Sequence, residues 1–214
     1  MEKLVLNQGF LLPGFAYWKP DEFRDMDRSY QEIIDNKLGW DITDFGMNKF
    51  DEVGFSLFTI RNGNPKRIEE YPKPYAEKVI MLYEGQRAPM HYHWNKMEDI
   101  INRGGNDLYI SVYNGDKNGE RLDTDVIIHK DGHQYELKAG EQVKLSPGES
   151  ITISPYVYHD FQVPNIGGPV LIGEVSMCND DENDNCFYEK IGRFPEIEED
   201  EEPYRLLCIE YEKI

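Results

Sequence analysis

Gly85-Gln-Arg-Ala-Pro-Met-His91-Tyr-His93-Trp-Asn-Lys96-Met-Glu98-Asp-Ile-Ile-Asn-Arg-Gly-Gly105 is the stretch that decides how this chain folds. Side chains alternate along an extended backbone, so His91 and His93 point the same way if the segment is a strand. Glu98 falls on the other face of an unbroken strand. Trp94 to Met97 therefore reads as a turn, with Glu98 opening the next strand through Asn102. That folding gathers two imidazoles and a carboxylate in one pocket, a borderline ligand set that suits Mn, Fe, Co, Ni or Zn.

Outward from this stretch, the signals are those of short strands. Phe55–Ile60, Tyr75–Tyr83, Leu108–Tyr113, Asp125–His129 and His133–Leu137 read as strands, as do Gln142–Leu145, Ser150–Ser154, Asp160–Val163 and Val170–Ser176, these last four each bounded by Gly, Pro or Asn. Asp131-Gly132 marks a hairpin between His129 and His133. Many short strands with regular turn signals argue a mainly β sandwich or barrel of antiparallel strands. Ahead of them, Phe23, Met26, Tyr30, Ile33 and Ile34 recur at helical spacing, which predicts one helix from Pro20 to about Leu38, capped by Gly39. The apolar residues from Gly9 to Trp18 read as an extended arm that packs on something, a partner subunit among the options. Arg205–Tyr211 reads as a closing strand. The expected organisation is one domain over 1–214, with arm and helix in 1–50, barrel core in 51–178, and an acidic loop and last strand in 179–214.

Composition narrows the function. The 214 residues carry 41 acidic against 23 basic side chains, a formal charge of −18. That field repels phosphate backbones and anionic lipid, which argues against nucleic-acid or membrane partners. No apolar run approaches the ~20 residues that span a bilayer, and the N-terminus lacks a signal-peptide pattern. Cys178, Cys186 and Cys208 are an odd number at no metal-site spacing, as reduced thiols in the cytoplasm would be.

The spacing Gly85, His91-x-His93, Glu98, Gly105 resembles the first motif of the cupin superfamily, small jelly-roll barrels with a metal in the mouth. Ser146-Pro-Gly148 and Pro155-Tyr-Val-Tyr-His159 resemble its second motif more loosely, one residue short between Pro and His. The resemblance implies a site of His91, His93, Glu98 and His159, with Mn²⁺ the leading metal and Co²⁺, Fe²⁺, Zn²⁺ or Ni²⁺ the alternatives. Further blocks, Leu38 to Gly46, Tyr71 to Lys78 and Gly173 to Asp181, look like D-lyxose isomerases within that superfamily. Resemblance to that family implies a Mn²⁺-dependent, homodimeric aldose–ketose isomerase that interconverts D-lyxose and D-xylulose, with D-mannose and D-fructose as further candidates.

Such a reaction moves a proton between C2 and C1 through an enediolate, and needs an electrophile at the two oxygens and a base beside them. Two residues qualify by position. Glu174 interrupts the apolar run Val170–Val175, a costly place for a carboxylate without a task or partner. Lys96 sits in the turn between the histidines and Glu98, at the pocket mouth. We read Glu174 as the base and Lys96 as proton donor or O1 polariser. His129 and His133 read as hairpin decoration, and Asp180, Asp181, Asn183 and Asp184 as a solvated loop. Trp40, Trp94, Tyr156 and Tyr158 are candidates for a sugar-stacking face or for packing, and Arg103 and Arg193 for binding hydroxyls or orienting carboxylates. A metal-dependent dioxygenase and a non-catalytic sugar-binding cupin are the competing readings.

Overall fold

The structure, a computed structural model, describes residues 1–180, 183–191 and 200–213. Numbered along the chain, the larger sheet contains β1 (Gly39–Thr43), β2 (Phe55–Arg61), β3 (Tyr75–Leu82), β5 (Glu98–Gly105), β8 (Val126–Lys130), β9 (His133–Leu137), β11 (Ser150–Ile153) and β13 (Val170–Met177). Its order is β1-β2-β3-β13-β5-β11-β8-β9. The smaller sheet contains β4 (Arg87–Tyr92), β6 (Leu108–Gly115), β10 (Gln142–Leu145), β12 (Val157–Gln162) and β14 (Cys186–Phe187), in the order β10-β6-β12-β4-β14. A short β7 (Arg121–Leu122) pairs with β6. Neighbouring strands within both sheets are antiparallel, and the fold is the mainly β, cupin-type jelly roll that the sequence led us to expect.

Sequence pattern explains which strands are covered on one face and which on two. Val143 and Leu145 of β10, and Ile151 and Ile153 of β11, alternate with more exposed neighbours, as half-buried strands do. The runs Val79–Leu82 in β3 and Val170–Ile172 in β13 are buried throughout. Ile80, Leu82, Val170 and Ile172 face the barrel interior. Val79 and Leu171 face outward, where Val5, Leu12 and Ala16 of the N-terminal segment cover them together with Phe58. Each such side chain contributes roughly 1.5–3 kcal/mol when fully buried.

The N-terminal elements differ from expectation. Residues 1–18 are not an extended arm throughout: Glu2–Asn7 form α1, Gly14–Tyr17 a 3₁₀ turn, and the segment packs on its own sheet. The expected single helix is broken into α2 (Pro20–Arg24), a 3₁₀ turn at Arg28–Tyr30 and α3 (Gln31–Asp35). Asp27 causes the break, since its carboxylate accepts the Ser29 N–H at 2.8 Å and offers the backbone a local alternative to the helix ladder. Gly39 is no helix cap. With φ of +121° it opens β1, at a place where an added Cβ would run into the Tyr211 hydroxyl.

The C-terminal strand is also corrected. Only Leu207 bridges to Trp40, and Cys208–Lys213 wind into a 3₁₀ helix. That winding tucks Leu206, Cys208 and Tyr211 against Phe23, Ile33 and Leu38, and the Tyr211 hydroxyl donates to the Leu38 carbonyl at 2.6 Å. Glu196, Glu198 and Glu199 of the acidic run lie outside the described residues. Cys178, Cys186 and Cys208 form no disulfide with one another. Among the described residues no helix is long and apolar enough to cross a membrane.

Candidate metal centre

Two strands and one turn assemble the centre. β4 delivers His91 and leads into His93; β12 lies antiparallel beside it with His159 directly opposite His91. The register slips between His159 and Phe161, a bulge on the β4 side at Pro89 and Met90, which re-aims the strand next to the site. β12 starts at Val157, earlier than the expected Asp160, and that places His159 within the sheet rather than in the lead-in loop. The backbone turns between His93 and Met97, so Glu98 returns at the head of β5 on the histidine side, as the sequence spacing predicts.

Each imidazole is held in one tautomer. Carbonyl oxygens only accept, so the ring nitrogen facing one carries the proton. His91 Nδ1 donates to the Pro89 carbonyl at 2.9 Å, His93 Nδ1 to the Asp184 carbonyl at 2.7 Å, and His159 Nδ1 to the Val157 carbonyl at 3.0 Å. The Nε2 lone pairs are left for the centre. Burial, and then the neighbouring imidazoles, push His91 well below its usual range, so it is neutral near pH 7.

Glu98 stands beside the three histidines. Its Oε1 stands 2.9 Å from His159 Nε2 and 3.6 Å from His93 Nε2. The 2.9 Å contact sets one acceptor against another and is not a hydrogen bond; His93 Nε2 and His159 Nε2 are buried with no hydrogen-bond partner among the described residues. One ligating nitrogen from each histidine lies within 4.8 Å of the other two. Convergent, buried, orphaned lone pairs of this kind are what a divalent cation with bonds of roughly 2.1 Å satisfies. The donor set therefore fits a metal.

Beside it runs an alternating row of buried charges. Burial alone would raise the Glu98 carboxyl, but the Lys96 ammonium, 2.8 Å from Oε2, helps hold it well below the usual range. Lys96 Nζ also lies 3.0 Å from Glu174 Oε1, and Lys78 Nζ is 3.2 Å from the same oxygen. Glu174 is buried, accepts from Ser176 Oγ at 3.1 Å, and is lowered because Lys78 and then Lys96 outweigh its desolvation. It stands as a carboxylate. Lys96, expected at the pocket mouth, is inside, 5% exposed.

The sequence reading missed Lys78. It faces Glu174 across the β3–β13 register and also bonds Asn179 Oδ1 at 2.8 Å. A lysine just ahead of the apolar run Val79–Leu82 carries the same signal that singled out Glu174. Asp184, read as part of a solvated loop, is buried against the turn at Asn95 and Lys96. Asn183 and Asp180 do bond each other at the surface, and Asp181 lies outside the described residues.

The aromatic candidates separate by strand alternation. Trp94, Tyr156 and Tyr158 pack around Tyr92, whose side chain points away from His91 and His93, and Trp40 packs on Phe58 beneath the N-terminal segment. The rings that line the metal cavity are Phe45, Phe55, Phe161 and Phe187. His129 and His133 sit exposed on the β8–β9 hairpin, whose turn residues Asp131 and Gly132 both have positive φ. Arg103 is exposed, and Arg193 lies outside the described residues.

The sequence profile of the D-lyxose isomerase family matches residues 1–211. A D-lyxose/D-mannose isomerase of Serratia proteamaculans is 47% identical over 201 residues, covering 94% of this chain and 88% of the relative. One from Escherichia coli O157:H7 is 45% identical over the same shares. Among solved structures, a point mutant of an L-ribose isomerase of Acinetobacter sp. DL28 in complex with L-ribose aligns with a TM-score of 0.57 at 13% identity, over 90% of this chain and 89% of that one. The ligand-free L-ribose isomerase of Cellulomonas parahominis aligns at 0.56 and 13%, over 88% of both chains. At that identity the likeness is one of fold alone.

Proposed function

The chain belongs to the D-lyxose isomerase family, whose members are aldose–ketose sugar isomerases, and from that premise we propose that it interconverts D-lyxose with D-xylulose and, second, D-mannose with D-fructose. The observation that carries the reading is the ionised, buried Glu174 beside, but outside, the cluster of His91, His93 and His159 with Glu98 next to it. A proton-transfer isomerisation needs these two parts as neighbours and not as one.

His91, His93, Glu98 and His159 would hold the metal; resemblance to the family puts Mn²⁺ first, while the imidazole-rich set would also suit Fe²⁺, Ni²⁺ or Zn²⁺. When bound, the metal would supply Lewis acidity to the oxygens of the reacting sugar. The chain's own groups do the rest. Glu174 takes the proton from C2 and returns it to C1, while Lys96 gives an ammonium proton to O1 as charge develops there and recovers one from the O2 hydroxyl. Lys78 keeps Glu174 ionised between turnovers. A sugar hydroxyl that displaces Lys96 from Glu174 removes one of the interactions that hold the carboxyl low, and so strengthens the base at the moment of use. Phe45, Phe187 and Phe161 exclude water around the exchange. In this reading residues 1–214 act as one domain, with a homodimer as the working assembly.

The test is ketose formation from D-lyxose by EDTA-stripped protein with and without Mn²⁺, beside D-mannose and D-xylose. Metal-restored conversion of lyxose above the others supports the proposal. Metal-loaded protein that forms ketose from none of them removes it.

A further inference from the structure

Within that reading, we propose that Asp184 is a positioning residue that ties closure of the site's roof to the assembly of His93 and Lys96. Its backbone carbonyl takes the His93 Nδ1 proton at 2.7 Å. Its carboxylate accepts from the backbone N–H of Asn95 at 2.8 Å, from Asn95 Nδ2 at 3.1 Å and from the backbone N–H of Lys96 at 2.9 Å. One residue, 7% exposed, thus grips the turn between two metal-site residues from a segment 88 to 91 positions away.

What Asp184 belongs to gives the grip its meaning. Residues 185–187 follow at once, Asn185 and Phe187 line the metal cavity, and β14 pairs Cys186 with Tyr92 and Phe187 with His91. The Phe187 ring lies over His91 at 5.5 Å and against Phe45 at 5.8 Å. Apart from His93 and Lys96 in the gripped turn, the remaining wall is barrel strand, so Phe45 and this segment are the parts that can yield. The cavity beneath it is partly open to solvent and leaves about 40 Å³ of room, enough for a few waters at about 10–15 Å³ each on that measure. A pentose enters only with the roof displaced. Displacing it withdraws the acceptor that fixes the His93 tautomer and the clamp that aims Lys96 at Glu98 and Glu174. The ion-pair row is then complete only when the roof is down.

The partners of a ligating imidazole are worth about 10–100-fold in metal affinity or activity, which sets the scale of the test. In the full-length protein, Asp184→Ala keeps the backbone carbonyl but frees the turn and the roof. Asp184→Asn is nearly isosteric and leaves an amide N–H facing a backbone N–H. Both variants are compared with wild type for Mn²⁺ dissociation constant, read from the electron paramagnetic resonance signal of free Mn²⁺, and for kcat and KM on D-lyxose. The expected result is at least about tenfold weaker Mn²⁺ binding in Asp184→Ala. We further expect a fall in kcat of about 10–100-fold in both variants, with KM changed much less, while both still melt cooperatively. Mn²⁺ affinity and kcat within about twofold of wild type in the folded variants overturn the proposal, as does failure of both to fold. Metal affinity is read without turnover. A wild type inactive on every sugar therefore counts against the isomerase reading, while the Mn²⁺ constants still decide the role of Asp184.

Discussion

Lys96 Nζ and Glu174 Oε1 meet at 3.0 Å, 78 residues apart in the chain, with side chains 5% and 6% exposed. A buried pair of this kind returns little net stability, because desolvation offsets much of its attraction. With Lys78 on one side and Glu98 on the other, it forms a neutral row of four charges along one wall of the cavity beside the histidines.

Glu174→Gln keeps the shape and removes the proposed base. We expect kcat on D-lyxose to fall by about 10²–10⁴-fold with Mn²⁺ affinity little changed. A metal-loaded variant that keeps a tenth of wild-type kcat would move the base to another residue.

Lys78→Met removes the ammonium that does most to hold Glu174 low. The base acts as its carboxylate, so activity is lost as pH falls through its pKa. A raised pKa moves the acidic limb of the kcat/KM profile to higher pH. Lys96→Gln should move it the same way while also lowering kcat. An acidic limb that stays in place in Lys78→Met would separate this lysine from the chemistry.

Metal removal and acid should act on the same histidines. Mn²⁺ at one hundred times its dissociation constant stabilises the fold by about 2.7 kcal/mol, visible as a lower melting temperature after EDTA. His91 is held neutral in the folded chain, well below its ordinary value. Below about pH 6.5 the unfolded chain takes up a proton that folded His91 does not, so metal-free stability falls as pH falls, by at most about 1.4 kcal/mol per unit from this group. Urea melts at pH 7.5, 6.5 and 5.5 check this against His91→Gln, whose slope should be shallower by that contribution.

Gly105 closes β5 with φ of +95°, and a Cβ there would run into the Pro169 carbonyl, which is backbone and cannot step aside. Gly105→Ala should destabilise by about 1–3 kcal/mol without altering the metal site directly. A urea midpoint equal to wild type would refute the strain argument.

Deleting residues 1–18 uncovers Phe58, Val79 and Leu171. At ~1.5–3 kcal/mol for each buried side chain, we expect a loss of more than about 3 kcal/mol in denaturant melts. A truncated chain with unchanged stability would mean that the segment's contacts are dispensable.

Much of the site was legible along the chain because strand geometry converts short spacing directly into facing. His91-x-His93, the turn to Glu98, the hairpin at Asp131-Gly132 and most of the strands follow from alternation and turn chemistry within a few residues. Glu174 declared itself by being charged in an apolar run, and Lys78 carried the same signal unread. The helix after Pro20 was misjudged because apolar periodicity does not register the Asp27–Ser29 bond that ends it. The last strand was misjudged because burial at Leu206, Cys208 and Tyr211 serves a 3₁₀ turn as well as an alternating one.

Sequence alone determined the β architecture, the motif that gathers His91, His93 and Glu98, and the carboxylate and lysine placed beside it. Only the tertiary structure decided the pairing of Lys78 with Glu174, the burial of Lys96 and the grip of Asp184 on the turn from 88 positions away. The physical reason is range. Alternation and turn preferences act over a handful of residues, whereas the cost of burying a charge is settled by whichever partner the folded sheets bring to it.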